Sequence, residues 1–153
     1  MSAGKMEPDQ ETKAVKTLAI QLGADLVGVA DLKLFQDDYG NARPLIGTFP
    51  LAISMAVRLS SPIIDGITED DPTPIYAHHY RTVNALLDDI AIRMANYCQS
   101  KGHWALPIPA SQILDDDYSF GAISHKAIAA LAGLGWLGKG MIVVNKRFGP
   151  RIR

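Results

Sequence analysis

Apolar positions fall into blocks separated by polar, glycine-rich and proline-rich stretches. Residues 7–23 open with Pro8 and Asp9 and place Ala14, Val15, Leu18, Ala19 and Leu22 at helical steps before Gly23, which predicts one amphipathic helix stopped by a glycine. Residues 25–30, DLVGVA, are too short and too β-branched for a helix and predict a buried strand. In residues 31–50, Gly40, Asn41, Pro44, Gly47 and Pro50 break every period, leaving a loop with at most one helical turn. Residues 51–59, LAISMAVRL, form the second strand candidate, and residues 60–74 are a polar loop long enough to be functional, as a lid would be.

The strongest periodicity follows. Tyr76, Tyr80, Val83, Leu87, Ile90, Met94 and Tyr97 recur at alternating steps of four and three before Gly102, predicting a long helix with one buried face. Residues 104–108 suggest a short edge strand because of Pro107 and Pro109. Residues 124–131 predict a helix capped by Ser124, and residues 141–145, MIVVN, a last strand. No repeat or linker divides the chain. One layered domain of the α/β or α+β kind is expected, a mixed sheet with flanking helices; several connections are too irregular for the crossover helices of a strict parallel sheet.

Composition narrows the function classes. The chain has 153 residues, 48% hydrophobic and 20% charged, which suits a soluble domain with a sizeable core. Fifteen Lys plus Arg against sixteen Asp plus Glu give a formal charge of −1, so no global electrostatic footprint for nucleic acid or anionic lipid exists. The one cysteine, Cys98, cannot form an internal disulfide or complete a four-cysteine metal set, and it reads as a small hydrophobe near Met94. The first residues are charged where a signal peptide is apolar, and no run of 18 apolar residues occurs, so the cytoplasm is expected and a membrane partner is not. Lys139, Lys146, Arg147, Arg151 and Arg153 face no acid between 139 and 153; further chain or a charged ligand is expected to cover this end.

Gly133, Gly135 and Gly138 stand in GxGxxG spacing, but the order rejects a dinucleotide site, because a helix precedes the glycines and a strand follows them. A phosphate loop ending at Lys139 fails too, since Gly140 replaces the hydroxyl residue that holds magnesium. The glycines can instead bring backbone close to a ligand, with Trp136 as a flat apolar surface and Lys139 as a cation. The alternative is a tight helix-to-strand connection with Trp136 filling the core.

Residues 124–153, SHKAIAALAGLGWLGKGMIVVNKRFGPRIR, resemble the epoxyqueuosine reductase family and its relatives, in which a helix runs into AGLGWIGKN-type glycines, an apolar strand and a basic segment. GADLVGVAD at 23–31 and Tyr80 in the long helix add weaker likeness, and the middle matches only in element order. The resemblance implies a nitroreductase-like, cobalamin-binding N-terminal domain. A C-terminal ferredoxin-like domain with two [4Fe-4S] clusters would then pass electrons to cobalt. That second domain is not in this sequence, so a truncated product or fragment is expected. By the same resemblance Tyr80, His125, Gly133, Gly135, Trp136, Gly138 and Lys139 are expected to bind the cofactor. Counting back without gaps from AGLGW, the family's catalytic aspartate, a proposed proton donor, falls on Ser119 and a nearby arginine on Lys126. A small gap would bring in a carboxylate from the run Asp115 to Asp117, with Asp117 the candidate. The implied substrate is a small molecule or a modified nucleoside, in tRNA for a true epoxyqueuosine reductase.

The remaining chemistry-bearing residues have simpler readings. His78 and His79 are adjacent on a helix and point about 100° apart, so they cannot chelate one metal and suit a surface or capping role. Three consecutive carboxylates also suit a solvated turn. Tyr76 and Tyr80 share a face and are expected in the core, with a phenol at a pocket edge as the alternative.

Overall fold

A computed structural model describes residues 8–34, 47–111 and 123–153. Helix α1 spans Pro8–Gln21, strand β1 Leu26–Asp31 and a 3-10 turn Leu32–Leu34. Strand β2 covers Leu51–Ala56, helix α2 Ser61–Asp65 and helix α3 Pro74–Ser100. Helix α4 covers His125–Leu131, followed by β3 at Trp136–Leu137 and β4 at Val143–Val144. The fold class is α+β. The expected mixed sheet is, among the described residues, two separate antiparallel pairs, β1 with β2 and β3 with β4. Antiparallel pairing needs no crossover helix, which agrees with the irregular connections.

α1 and α3 form where the spacing places them. Ala19 is fully buried with Ala24, Ile90 and Met94, and Val15, Leu18 and Leu22 pack against this cluster. A second cluster, Val57, Leu59, Val83 and Leu87, continues along α3. The buried face of α3 therefore spans two clusters, as its period requires. Thr73 caps this helix, its Oγ accepting the Tyr76 N–H at 3.3 Å, and Pro74 opens it.

A third cluster docks α4. Ile128 is buried with Ala30 and Leu32, against Phe49, Ala52, Ile123 and Ala132. Gly28 allows this approach, since a Cβ there would overlap the Ala132 carbonyl.

The last residues complete the sheet. Val57 N–H donates to Arg153 O at 2.8 Å, Arg153 N–H to Val57 O at 2.9 Å, and Leu59 N–H to Arg151 O at 2.9 Å. Ala56 O accepts from Asp25 on the β1 side, so strand alternation puts residues 151–153 on the opposite edge of the extended β2 chain.

Three expectations are corrected. Residues 104–108 form no strand; Ala110 N–H bonds to Asp88 instead of a sheet edge. The polar loop at 60–74 contains α2, which Pro62 opens. The last strand shortens to two residues because Met141 and Ile142 close the turn from Gly138 and Asn145 turns back to pair with Gly149. At the basic end one cation, Arg151, meets an acid far away in sequence, Asp65, at 2.6 and 3.2 Å. No described helix is long and apolar enough to cross a membrane.

Candidate functional site

A cleft of about 280 Å³ opens where three parts of the chain meet: Ala110 and Ser111, residues 123–126 at the start of α4, and the side chain of Arg153. Each part is held by identifiable bonds. Asp88 on α3 accepts the Ala110 N–H at 2.7 Å and fixes the segment after Pro109 along the helix. Ser124 Oγ accepts the Ala127 N–H at 3.4 Å, the predicted cap. His125 Nε2 lies 2.9 Å from Pro109 O. A carbonyl only accepts, so Nε2 carries the proton and Nδ1 is the acceptor of the neutral ring.

Arg153 is oriented by neutral groups. Its Nε donates to Asn84 Oδ1 at 2.8 Å, its Nη2 reaches Ala110 O at 3.5 Å, and its guanidinium lies 4.3 Å from the Tyr80 ring centroid. That is a cation–π distance. The Tyr80 hydroxyl is 3.5 Å from Ser111 Oγ, so the phenol stands at the edge of the cleft.

Both titratable rings sense this arrangement. The Ser111 hydrogen bond lowers the Tyr80 phenol below its ordinary value, helped by the Arg153 charge and Asn84 and opposed by burial. His125 keeps an exposed edge, yet withdrawal of the ring from water lowers its pKa. The Arg153 charge adds to that shift, while the Pro109 bond and the Asp88 charge oppose it.

The sequence candidates separate into two groups. Tyr80, His125 and Lys126 meet at the cleft, whereas Gly133, Gly135, Trp136, Gly138 and Lys139 lie beyond the other end of α4. Seven helical residues put about 10 Å between those ends. Asp117 and Ser119, with the rest of the Asp115 to Asp117 run, lie outside the described residues.

The glycine group forms a hairpin. Gly133 takes a left-handed φ of 77° directly after the helix. Gly135 passes so close to β4 that a Cβ would overlap the Val144 carbonyl. Trp136 pairs with Val144 and Leu137 with Val143, and Gly138 N–H donates to Ile142 O at 2.9 Å. The tight connection is thus real, but Trp136 does not fill the core. Leu134 is the buried anchor, and Trp136 is 54% exposed, with Leu137, Met141, Ile142 and Lys139 also exposed.

The other candidates resolve simply. His79 Nε2 accepts the Ser60 N–H at 3.0 Å and ties α3 to the residue ahead of α2, while His78 is exposed at the surface. Tyr76 and Tyr80 are half-buried at 6.3 Å between centroids, outside the core clusters because they lie on the first turns of α3, ahead of Val83. Cys98 is half-buried and desolvation raises its thiol pKa, away from reactivity. Among the described residues no group of three His, Cys, Asp or Glu could hold a metal.

Sequence reasoning missed Asn84, Asp88 and Ser111. One signal was available: Tyr80, Asn84 and Asp88 stand four residues apart, a polar stripe beside the buried Val83 and Leu87. Arg153 was visible only as part of a basic end.

No protein-family model matches this chain, and no curated protein matches it.

Proposed function

We propose that the chain is the ligand-binding, N-terminal-type portion of an iron–sulfur and cobalamin dependent reductase resembling epoxyqueuosine reductase, with its substrate unassigned. One observation carries the reading. The stretch of residues 124–153, where the resemblance lies, supplies Ser124, His125 and Lys126 from its start and Arg153 from its end to a single cleft. A family-specific stretch that folds back to build one site from both ends is the arrangement a ligand-binding segment requires.

The cleft itself is smaller than pockets that enclose a drug-sized molecule, so it suits a small substrate or one polar substituent and not a corrin ring. The hairpin fits the macrocycle better. Its exposed Trp136, Leu137, Met141 and Ile142 offer apolar surface, and Lys139 offers a cation for polar substituents at the ring edge. A bound corrinoid would supply the redox chemistry, while the protein supplies binding and orientation. With one cysteine in the chain, electrons would come from clusters held on another domain. Within the cleft, Lys126 and Arg153 hold negative charge, and the Tyr80 phenol and His125 are placed to hold or move a proton.

A titration tests this. The purified protein is titrated with cobalamin, oxidised and reduced, and with flavin mononucleotide in parallel, following the visible spectrum and tryptophan fluorescence. Saturable cobalamin binding, weakened at least tenfold in Trp136→Ala and Lys139→Ala, is the expected result. Unchanged affinity in both variants removes the hairpin assignment, and no cobalamin binding removes the corrinoid reading. The second reading is a corrinoid- or flavin-binding module without turnover, favoured by the lack of a carboxylate in the described cleft lining; equal binding of the flavin would select it.

A further inference from the structure

We infer that the cleft is a receptor for the oxyanion group, carboxylate or phosphate, of a small ligand, gripped by Arg153 and Lys126 with the Ser111 and Ser124 hydroxyls beside them. The inference rests on this cleft being the ligand site of the reading above, and it adds the charge class of what binds there.

The contrast between two arginines makes the argument. Arg151 is neutralised by Asp65. Arg153, two residues later, is oriented by an amide oxygen, a carbonyl oxygen and an aromatic face, all uncharged. Those contacts fix the guanidinium without cancelling its charge, which is how a protein preorganises a fork for an oxyanion. Lys126 sits exposed at the same cleft, and among the described residues neither cation forms an ion pair. The carboxylate that acts on this region from behind is Asp88, and one of its oxygens is taken by the Ala110 N–H.

The lining supports the same ligand class. In the described lining, the Ser111 and Ser124 hydroxyls stand beside the two cations, with Ala110 and Ile123 as the apolar side chains. Ser124 Oγ accepts from Ala127, which leaves its own hydrogen available to donate. The volume suits a phosphate or a small carboxylic acid. The Arg153 charge contributes to the lowering of both Tyr80 and His125, after the Ser111 hydrogen bond in the first and burial in the second.

The test is calorimetric titration of the full chain with inorganic phosphate in one arm and succinate in the other, repeated on Lys126→Gln, Arg153→Gln and Arg153→Lys. Saturable binding in at least one arm is expected, and the tighter arm identifies the group. Either glutamine variant should weaken it tenfold or more, and Arg153→Lys should recover part of the loss. A bound anion should also raise the His125 midpoint followed by ring-proton NMR, because it favours the imidazolium. If Arg153→Gln does not fold, Lys126→Gln carries the test, since its side chain is exposed. Binding in neither arm, or equal affinity in Lys126→Gln and the parent chain, overturns the inference. Cobalamin binding without oxyanion binding would sink this inference alone; oxyanion binding without cobalamin binding would sink the reductase reading alone.

Discussion

Replacing Ile128 by alanine tests whether the third cluster is what holds the cleft together. Ile128 is 5% exposed and is the buried residue of α4, seated against Ala30 and Leu32 with Phe49, Ala52, Ile123 and Ala132 around it. The change removes three carbons, at about 0.8 kcal/mol each, or roughly 2.4 kcal/mol of transfer free energy. A residual void on the order of 50 Å³, at about 24 cal/mol per Å³, adds about 1 kcal/mol. The expected loss is therefore about 3 to 4 kcal/mol, a large share of a domain's net stability. With a urea slope of about 2 kcal/mol per M, the midpoint should fall by roughly 1.5 to 2 M. Ile128→Val should cost about 1 kcal/mol, and Ile92→Ala on the exposed face of α3 should stay within about 0.5 kcal/mol. Because α4 carries Ser124, His125 and Lys126, the His125 midpoint should also move toward its ordinary value in whatever fraction remains folded. A loss below about 1 kcal/mol for Ile128→Ala, or one no greater than that of Ile92→Ala, would refute the account of how α4 is docked.

Two further outcomes are expected. The folded His125 pKa lies below its ordinary value of about 6.5, so the unfolded chain takes up the proton first as pH falls. Its contribution to stability is complete above about pH 6.5 and is lost as pH drops through the lowered value. Urea unfolding at several pH values between about 7.5 and 5 should show this slope in the parent chain and not in His125→Gln, and equal slopes in the two would contradict it. Gly135→Ala should spread the hairpin, because its new Cβ meets a backbone carbonyl that cannot rotate aside. A cost of about 1 to 3 kcal/mol and faster amide exchange at Gly138 are expected, and parental exchange there would show that the hairpin absorbs the methyl group.

Much of the local structure was legible because it depends on residues close together in the chain. The step pattern from Val83 to Met94 dictates a buried helix face whatever packs on it, and those residues are buried in two clusters. Ser124 ahead of an apolar stretch, and Gly133 after it, mark the ends of α4 through caps that act over three or four residues. The helix-before-glycines order was likewise enough to reject a dinucleotide site. Less legible were the partners distant in sequence. Trp136 carries the composition of a core residue but stands exposed, because the hairpin is anchored through Leu134 and only one of its sides meets the protein.

The cleft shows the same division. Tyr80, His125 and Lys126 could be named from the chain, the first and last as a matter of residue type and resemblance, but not joined. Arg151 and Arg153 are indistinguishable in sequence, both basic and both in a segment without acids. Pairing of residues 151–153 with the extended β2 chain brings Asp65 to one of them and Asn84, Tyr80 and the Ala110 carbonyl to the other. Sequence by itself determined the three longer helices, the Ser124 cap and the glycine turn, because these follow from the period and steric freedom of neighbouring residues. Only the tertiary structure decided which cation is neutralised and which faces an open cleft, because the Coulomb energy of a charge depends on what lies within a few ångströms of it and not on its neighbours along the chain.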